Sequence, residues 1–216
     1  MRDLYPGYDV LSKRHTPSWN EATRRVIEAR LALDPSAHRH FSEAQWQTLR
    51  ALCDRIVPQP SGRAQVPVAA MVDLKMTEDA RDGYRHADLP AMQESWRRGI
   101  GALDAEARAA HGSRFHEIPP AQQDELIAAM QHGNLKHRAW EGMPSHVFFK
   151  ERVLPDIVRS YYAHPTAWSE IGWGGPASPR GYVRLQVDRR DSWEAAEARP
   201  GYEAEAYREN RRVGRR

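Results

Sequence analysis

Ten histidines, one cysteine and 29 acidic residues are the groups in this 216-residue chain whose types could do chemistry, and their spacing limits what that chemistry can be. Three close histidine pairs stand out: His38 with His40, His111 with His116, and His132 with His137. Metalloprotease zinc needs two histidines four apart on one helix face with a glutamate between them, and none of the pairs has that pattern. The last pair is also divided by Gly133, a residue that ends helices. Cys53, being single, excludes an internal disulfide and a cysteine-based zinc site within one chain. Its neighbours Leu49, Leu52 and Ile56 mark it as a small core residue. Gly-x-Ser-x-Gly, Gly-x-Gly-x-x-Gly and the Walker sequence do not occur, and Gly172, Gly174 and Gly175 follow a helical, aromatic stretch instead of a strand. Acids are so numerous that choosing a general acid and base among them would be arbitrary. The expectation is a chain with no catalytic, cofactor-binding or metal-binding residues of its own.

A different kind of feature lies from Tyr161 to Tyr182, where aromatic rings crowd a segment whose glycines and prolines oppose regular structure. Disordered segments seldom keep two Trp, several Tyr and an Ile this close together. Tyr and Trp give large contact area for few rotatable bonds, so the segment suits a binding surface. Its candidate partner-binding residues are Tyr161, Tyr162, His164, Trp168, Ile171, Trp173 and Tyr182. The alternative is a loop that covers the chain's own core.

The elements that must position these residues are helical, since no run of four to eight residues alternates cleanly enough for a strand. Ser18 and Glu21 have capping-box spacing ahead of a face formed by Trp19, Ala22, Val26, Ala29 and Leu33. Ser42 and Gln45 give a clearer box before Trp46, Leu49, Cys53, Ile56 and Val57, with Phe41 placed to staple onto Trp46. Pro67 opens a helix carrying Val68, Met71 and Val72. Asp88 is the expected cap of a long helix whose inner face is Met92, Trp96, Ile100, Leu103 and Ala107 and whose end is Gly112. Pro119-Pro120 lead into a shorter helix with Leu126, Ile127 and Met130, ending at Gly133. Pro144 opens a run of Phe149, Val153, Ile157 and Tyr161 that Pro155 should kink or split. The fold expected is all-α: an irregular helical body with a long aromatic Gly/Pro loop and extended arms. Its divisions are an N-terminal arm over 1–40, a helical body over 41–182 and a charged tail over 183–216.

The charge supports no broad nucleic-acid surface. Net charge is +3, but 208–216 hold five Arg against one Glu, so the rest of the chain sums to −1. A solvated tail is the plain reading, and a helical adaptor that binds nucleic acid or an acidic surface through it is the alternative. A mean hydropathy of −0.78 and the lack of an apolar run near the roughly 20 residues of a membrane span argue against a spanning segment. Met1–Val10 lacks the layout of a secretory signal, and Arg24-Arg25 has no apolar stretch behind it, so no export signal of its own is expected.

Taken together, Leu49 to Pro58, Phe115 with Ile118-Pro119, the Phe148-Phe149 run to Tyr161-Tyr162, and His164-Pro165 through Ile171-Gly172 to Gly181-Tyr182 resemble the gluconate 2-dehydrogenase subunit 3 family. The resemblance implies a small helical subunit without a cofactor, clamped onto a large FAD-dependent sugar or alcohol dehydrogenase of the glucose-methanol-choline type. In that family it supports the partner's maturation and stability, and a cytochrome c subunit can complete the assembly. Many members bring a twin-arginine signal, and this chain departs from them there. The implied location is therefore cytoplasmic unless the partner carries the pair to the periplasm.

Overall fold

A computed structural model describes residues 3–176 and 193–213. Among them the secondary structure is helical, with no strand. The helices are α1 (Glu21–Leu31), α2 (Glu43–Ile56), α3 (Val68–Thr77), α4 (Met92–His111), α5 (Pro120–Gln131), α6 (Ser145–Phe148), α7 (Leu154–Ala163), α8 (Pro165–Glu170) and α9 (Glu203–Asn210). They divide into two compact units that do not follow chain order. The larger holds 34–63 and 67–161, and the smaller holds 1–33, 64–66 and 162–216.

In the larger unit, α2 starts where both halves of its capping box close: Gln45 N–H donates to Ser42 Oγ, and Ser42 N–H donates to Gln45 Oε1. Phe41 turns its ring edge to Trp96, and Trp46 stacks on His38 at 4.8 Å, so the staple expected between Phe41 and Trp46 is not the ring pairing found. The whole predicted inner face of α4 is buried. The helix ends at Gly112, whose φ of 78° is the left-handed conformation that glycine adopts without strain. Asp88 is not its cap; the helix begins three residues later behind Ala91, with no side chain capping it. Gly99 on α4 allows a close approach. The Phe148 ring lies where a β-carbon would be, itself set edge-on to Trp96 and tilted against Trp140.

Pro155 does not split its run. Between α6 and α7, residues Phe149–Val153 widen into a π turn in which Leu154 N–H reaches the Phe149 carbonyl, five residues back. Pro155 has no N–H to offer, and a helix that changes register just before it loses little by that lack.

Three buried carboxylates pin the loops of this unit. Asp73 accepts main-chain N–H bonds from Arg39 (2.7 Å), His40 (3.0 Å) and Phe41 (3.1 Å). Asp104 accepts from the Thr48 hydroxyl at 2.8 Å and Phe115 N–H at 3.1 Å. Asp156 meets Lys75 Nζ at 2.7 Å and the Trp96 indole N–H at 2.8 Å. Lys75 also reaches Asp82, which Arg152 grips at 2.7 Å, so a charged cluster fixes the segment after α3. Burial pushes the Asp82 carboxyl upward, but hydrogen bonds and charge from Lys75 and Arg152 outweigh it and hold it below the usual carboxylate range.

The smaller unit joins both ends of the chain. Tyr8, Val10, Trp19, Ile27, Trp168 and Val213 share one buried cluster, with Tyr5, Leu11 and Ala195 packed on it. The Asn210 side chain ties the ends together: it accepts from Ala196 N–H at 2.6 Å and donates to the carbonyls of Pro6 and Ala196. Helix α1 departs from its expected phase. Its cap is Asn20, which accepts from Thr23 N–H, and Ile27 is the residue it buries, while Val26 faces solvent. Trp19 lies before the helix, so its burial says nothing of the helix phase.

Candidate functional site

The aromatic segment is less irregular than its composition suggests. Tyr161 and Tyr162 lie in the last turn of α7, which Ala163 ends, and α8 follows at once, with Pro165 in its first turn and His164 as its N-cap. Proline is at home in that first position because its missing N–H would have no partner there. Thr166 N–H donates to His164 Nδ1 at 3.3 Å, and Ala167 N–H to the His164 carbonyl at 3.1 Å.

Inside this short helix, Trp168 is buried and its indole N–H donates to the Tyr162 carbonyl at 2.6 Å. The chain then turns back. Trp173 N–H donates to the Trp168 carbonyl at 2.9 Å, and the two indoles meet edge to face at 4.7 Å. Glycine is required twice in this return. Gly172 has φ +68° beneath the Tyr5 ring, and Gly175 has φ +70° where a β-carbon would lie 3.1 Å from Trp19 and 3.2 Å from Trp168. Val10 N–H donates to Ser169 Oγ at 3.1 Å and secures α8 to the Val10–Lys13 turn.

The segment's candidates thus separate into two sets. Tyr161, His164 and Trp168 are buried, whereas Tyr162 is 47% exposed, Ile171 43% and Trp173 39%. Tyr161 belongs to the larger unit, and Tyr162 onward to the smaller. Tyr182 lies outside the described residues. What the geometry offers is three exposed apolar side chains, Tyr162, Ile171 and Trp173, beside the buried Tyr161, His164 and Trp168.

Other groups that could do chemistry are engaged elsewhere. Cys53 is buried, and that burial, with Asp54 nearby, pushes its thiol well above the usual range, which makes it inert. The Thr48 hydroxyl lies between Asp104 and His116 Nδ1, 2.8 and 3.3 Å away, but it is fully buried and could not face a substrate. His132 Nδ1 bonds the Ala128 carbonyl and His137 caps a short turn by accepting from Ala139 N–H. Among the described residues no three His, Cys, Asp or Glu side chains gather as a metal would require, and no helix is long and apolar enough to cross a membrane.

The Arg-rich tail is partly helix. Arg208 and Arg211 bond the Ala204 carbonyl and the Tyr207 hydroxyl, and Val213 is core. Sequence reasoning missed the roles of Asp73, Asp104, Asp156 and Asn210, because nothing in the local pattern separates a buried carboxylate or amide from its exposed neighbours.

Comparison with known families matches residues 43–175, more than half of the chain, to gluconate 2-dehydrogenase subunit 3. No curated protein and no solved structure matches.

Proposed function

The chain belongs to the gluconate 2-dehydrogenase subunit 3 family, and from that premise we propose that it is a non-catalytic accessory subunit which binds and stabilises, or helps mature, an FAD-dependent sugar or alcohol dehydrogenase subunit of the glucose-methanol-choline type. The observation that carries the reading is the exposure of Tyr162, Ile171 and Trp173 within the matched span, beside rings that are buried. Apolar side chains held out on an ordered base cost little entropy to dock, since their backbone is already fixed. Burying them against a partner would remove apolar area from water at about 25 cal/mol per Å². In this reading FAD belongs to the partner, and the oxidation occurs in the partner's flavin pocket.

Co-expression tests the proposal. With this chain present, the large subunit is expected to be soluble and loaded with FAD. Without it, the large subunit should aggregate or lose flavin, because its matching apolar patch would face water. A flavoprotein that folds, keeps FAD and turns over at full rate alone contradicts the reading.

A further inference from the structure

His164 is buried at the junction between α7 and α8, yet a docking surface built only from aromatic contacts would not need an ionisable group there. Its ring is used on both sides. Nδ1 accepts from Thr166 N–H, which requires that this nitrogen carry no proton, and the ring also hydrogen-bonds the Arg30 main chain. Arg30 extends its guanidinium to the Ala163 carbonyl at 2.6 Å, the residue just before His164.

We infer that His164 is a pH-sensitive latch, which as neutral imidazole closes the first turn of α8 and as imidazolium releases it, loosening the Trp168–Trp173 segment. Protonated Nδ1 becomes a donor and opposes the Thr166 N–H that it formerly accepted. The new positive charge is also buried close to Arg30. The Arg30 main-chain bond survives protonation, so release begins at the cap and not at α1.

Burial lowers the His164 pKa below its ordinary value; the Arg30 main chain opposes that effect, and the Arg30 charge adds to the lowering. Of the charged groups on the elements around it, Arg30 on α1 bears on the ring; Asp9 and Lys13 lie at the turn packed against α8, and Glu170 lies on α8 itself. A folded-state pKa below the unfolded one means that the segment's stability is fully present above about pH 6.5 and is lost as pH falls through the folded value. The inference rests on the proposed function only for its consequence, release of the partner; the latch itself is a property of this chain.

Amide hydrogen exchange across Thr166–Trp173 in the full chain tests it without any partner. After correction for intrinsic rates, the opening constant of these amides should rise up to about tenfold per unit as pH falls below about 6.5. Amides in α4 should hold steady over the same range. In His164→Asn, which keeps a capping carbonyl but cannot titrate, the dependence should vanish. Equal dependence in both proteins overturns the latch. If the variant does not fold, the wild-type imidazole titration decides: protonation with α8 amides still protected overturns it as well. Loss of partner capture at neutral pH would count against the accessory-subunit reading and leave the latch standing.

Discussion

Trp96 in the larger unit and Trp168 in the smaller are both buried, but the material around them differs. Trp96 donates to a carboxylate that is itself ion-paired, and its neighbours Phe41 and Phe148 lie within the same core. Trp168 donates to a main-chain carbonyl in a six-residue helix, and the ring set against it, Trp173, is more than a third exposed. Among the described residues, eight of the eleven exposed large hydrophobic side chains belong to the smaller unit, although it is the shorter of the two. One unit spends its aromatic area on its own core. The other leaves much of it facing outward.

The contrast can be broken at its strongest point first. Asp156→Ala should strip Lys75 and the Trp96 indole of a shared buried acceptor and cost about 3–5 kcal/mol, read as a fall in the urea midpoint. A loss below about 1 kcal/mol would mean that the larger unit does not depend on its buried carboxylates. Gly99→Ala follows, with two effects opposed. Alanine improves helix propensity by about 1 kcal/mol. The methyl overlaps a Phe148 ring that Trp96 and Trp140 keep from moving, so a net loss of about 1–3 kcal/mol is expected by the same measurement.

Acid should separate the units more gently. Asp82 is held below the ordinary carboxylate range, so its stabilisation is present above about pH 4 and lost as pH falls through its folded value. Asp82→Asn should flatten that limb of the stability curve, and an unchanged limb would assign acid sensitivity elsewhere. Trp173→Ala should have the smallest effect on stability, about 1 kcal/mol for its edge-to-face contact with Trp168.

The larger unit was mostly legible in the sequence because its helices carry both a phase and a punctuation. Ser42 with Gln45, the stripe from Met92 to Ala107 and the stop at Gly112 each combine the two. Where only one signal was present, the boundary or face moved. Asp88 offered a cap ahead of the Met92 stripe that the helix, starting behind Ala91, does not use, and α1 offered apolar residues on two faces, of which tertiary packing chose Ile27. Pro155 was legible as a disturbance, but the widened turn that absorbs it depends on a register that propensity does not encode. In the aromatic segment, composition pointed to Tyr162, Ile171 and Trp173 without separating them from His164 and Trp168. The burial of Trp168 depends on its packing with Trp19 and Val10, residues about 150 positions away in the chain.

The division also changes which variant is informative. Trp168→Ala would open a cavity in the smaller unit's core and confuse misfolding with lost binding, and removal of 208–216 would take Asn210 and Val213 with it. Trp173→Ala avoids both faults. Capture of the dehydrogenase subunit by wild type and by Trp173→Ala, at equal concentration and with urea midpoints measured alongside, is therefore the most direct test. The account predicts that the variant keeps its fold and loses roughly tenfold or more in affinity. Equal capture by the two proteins would contradict it.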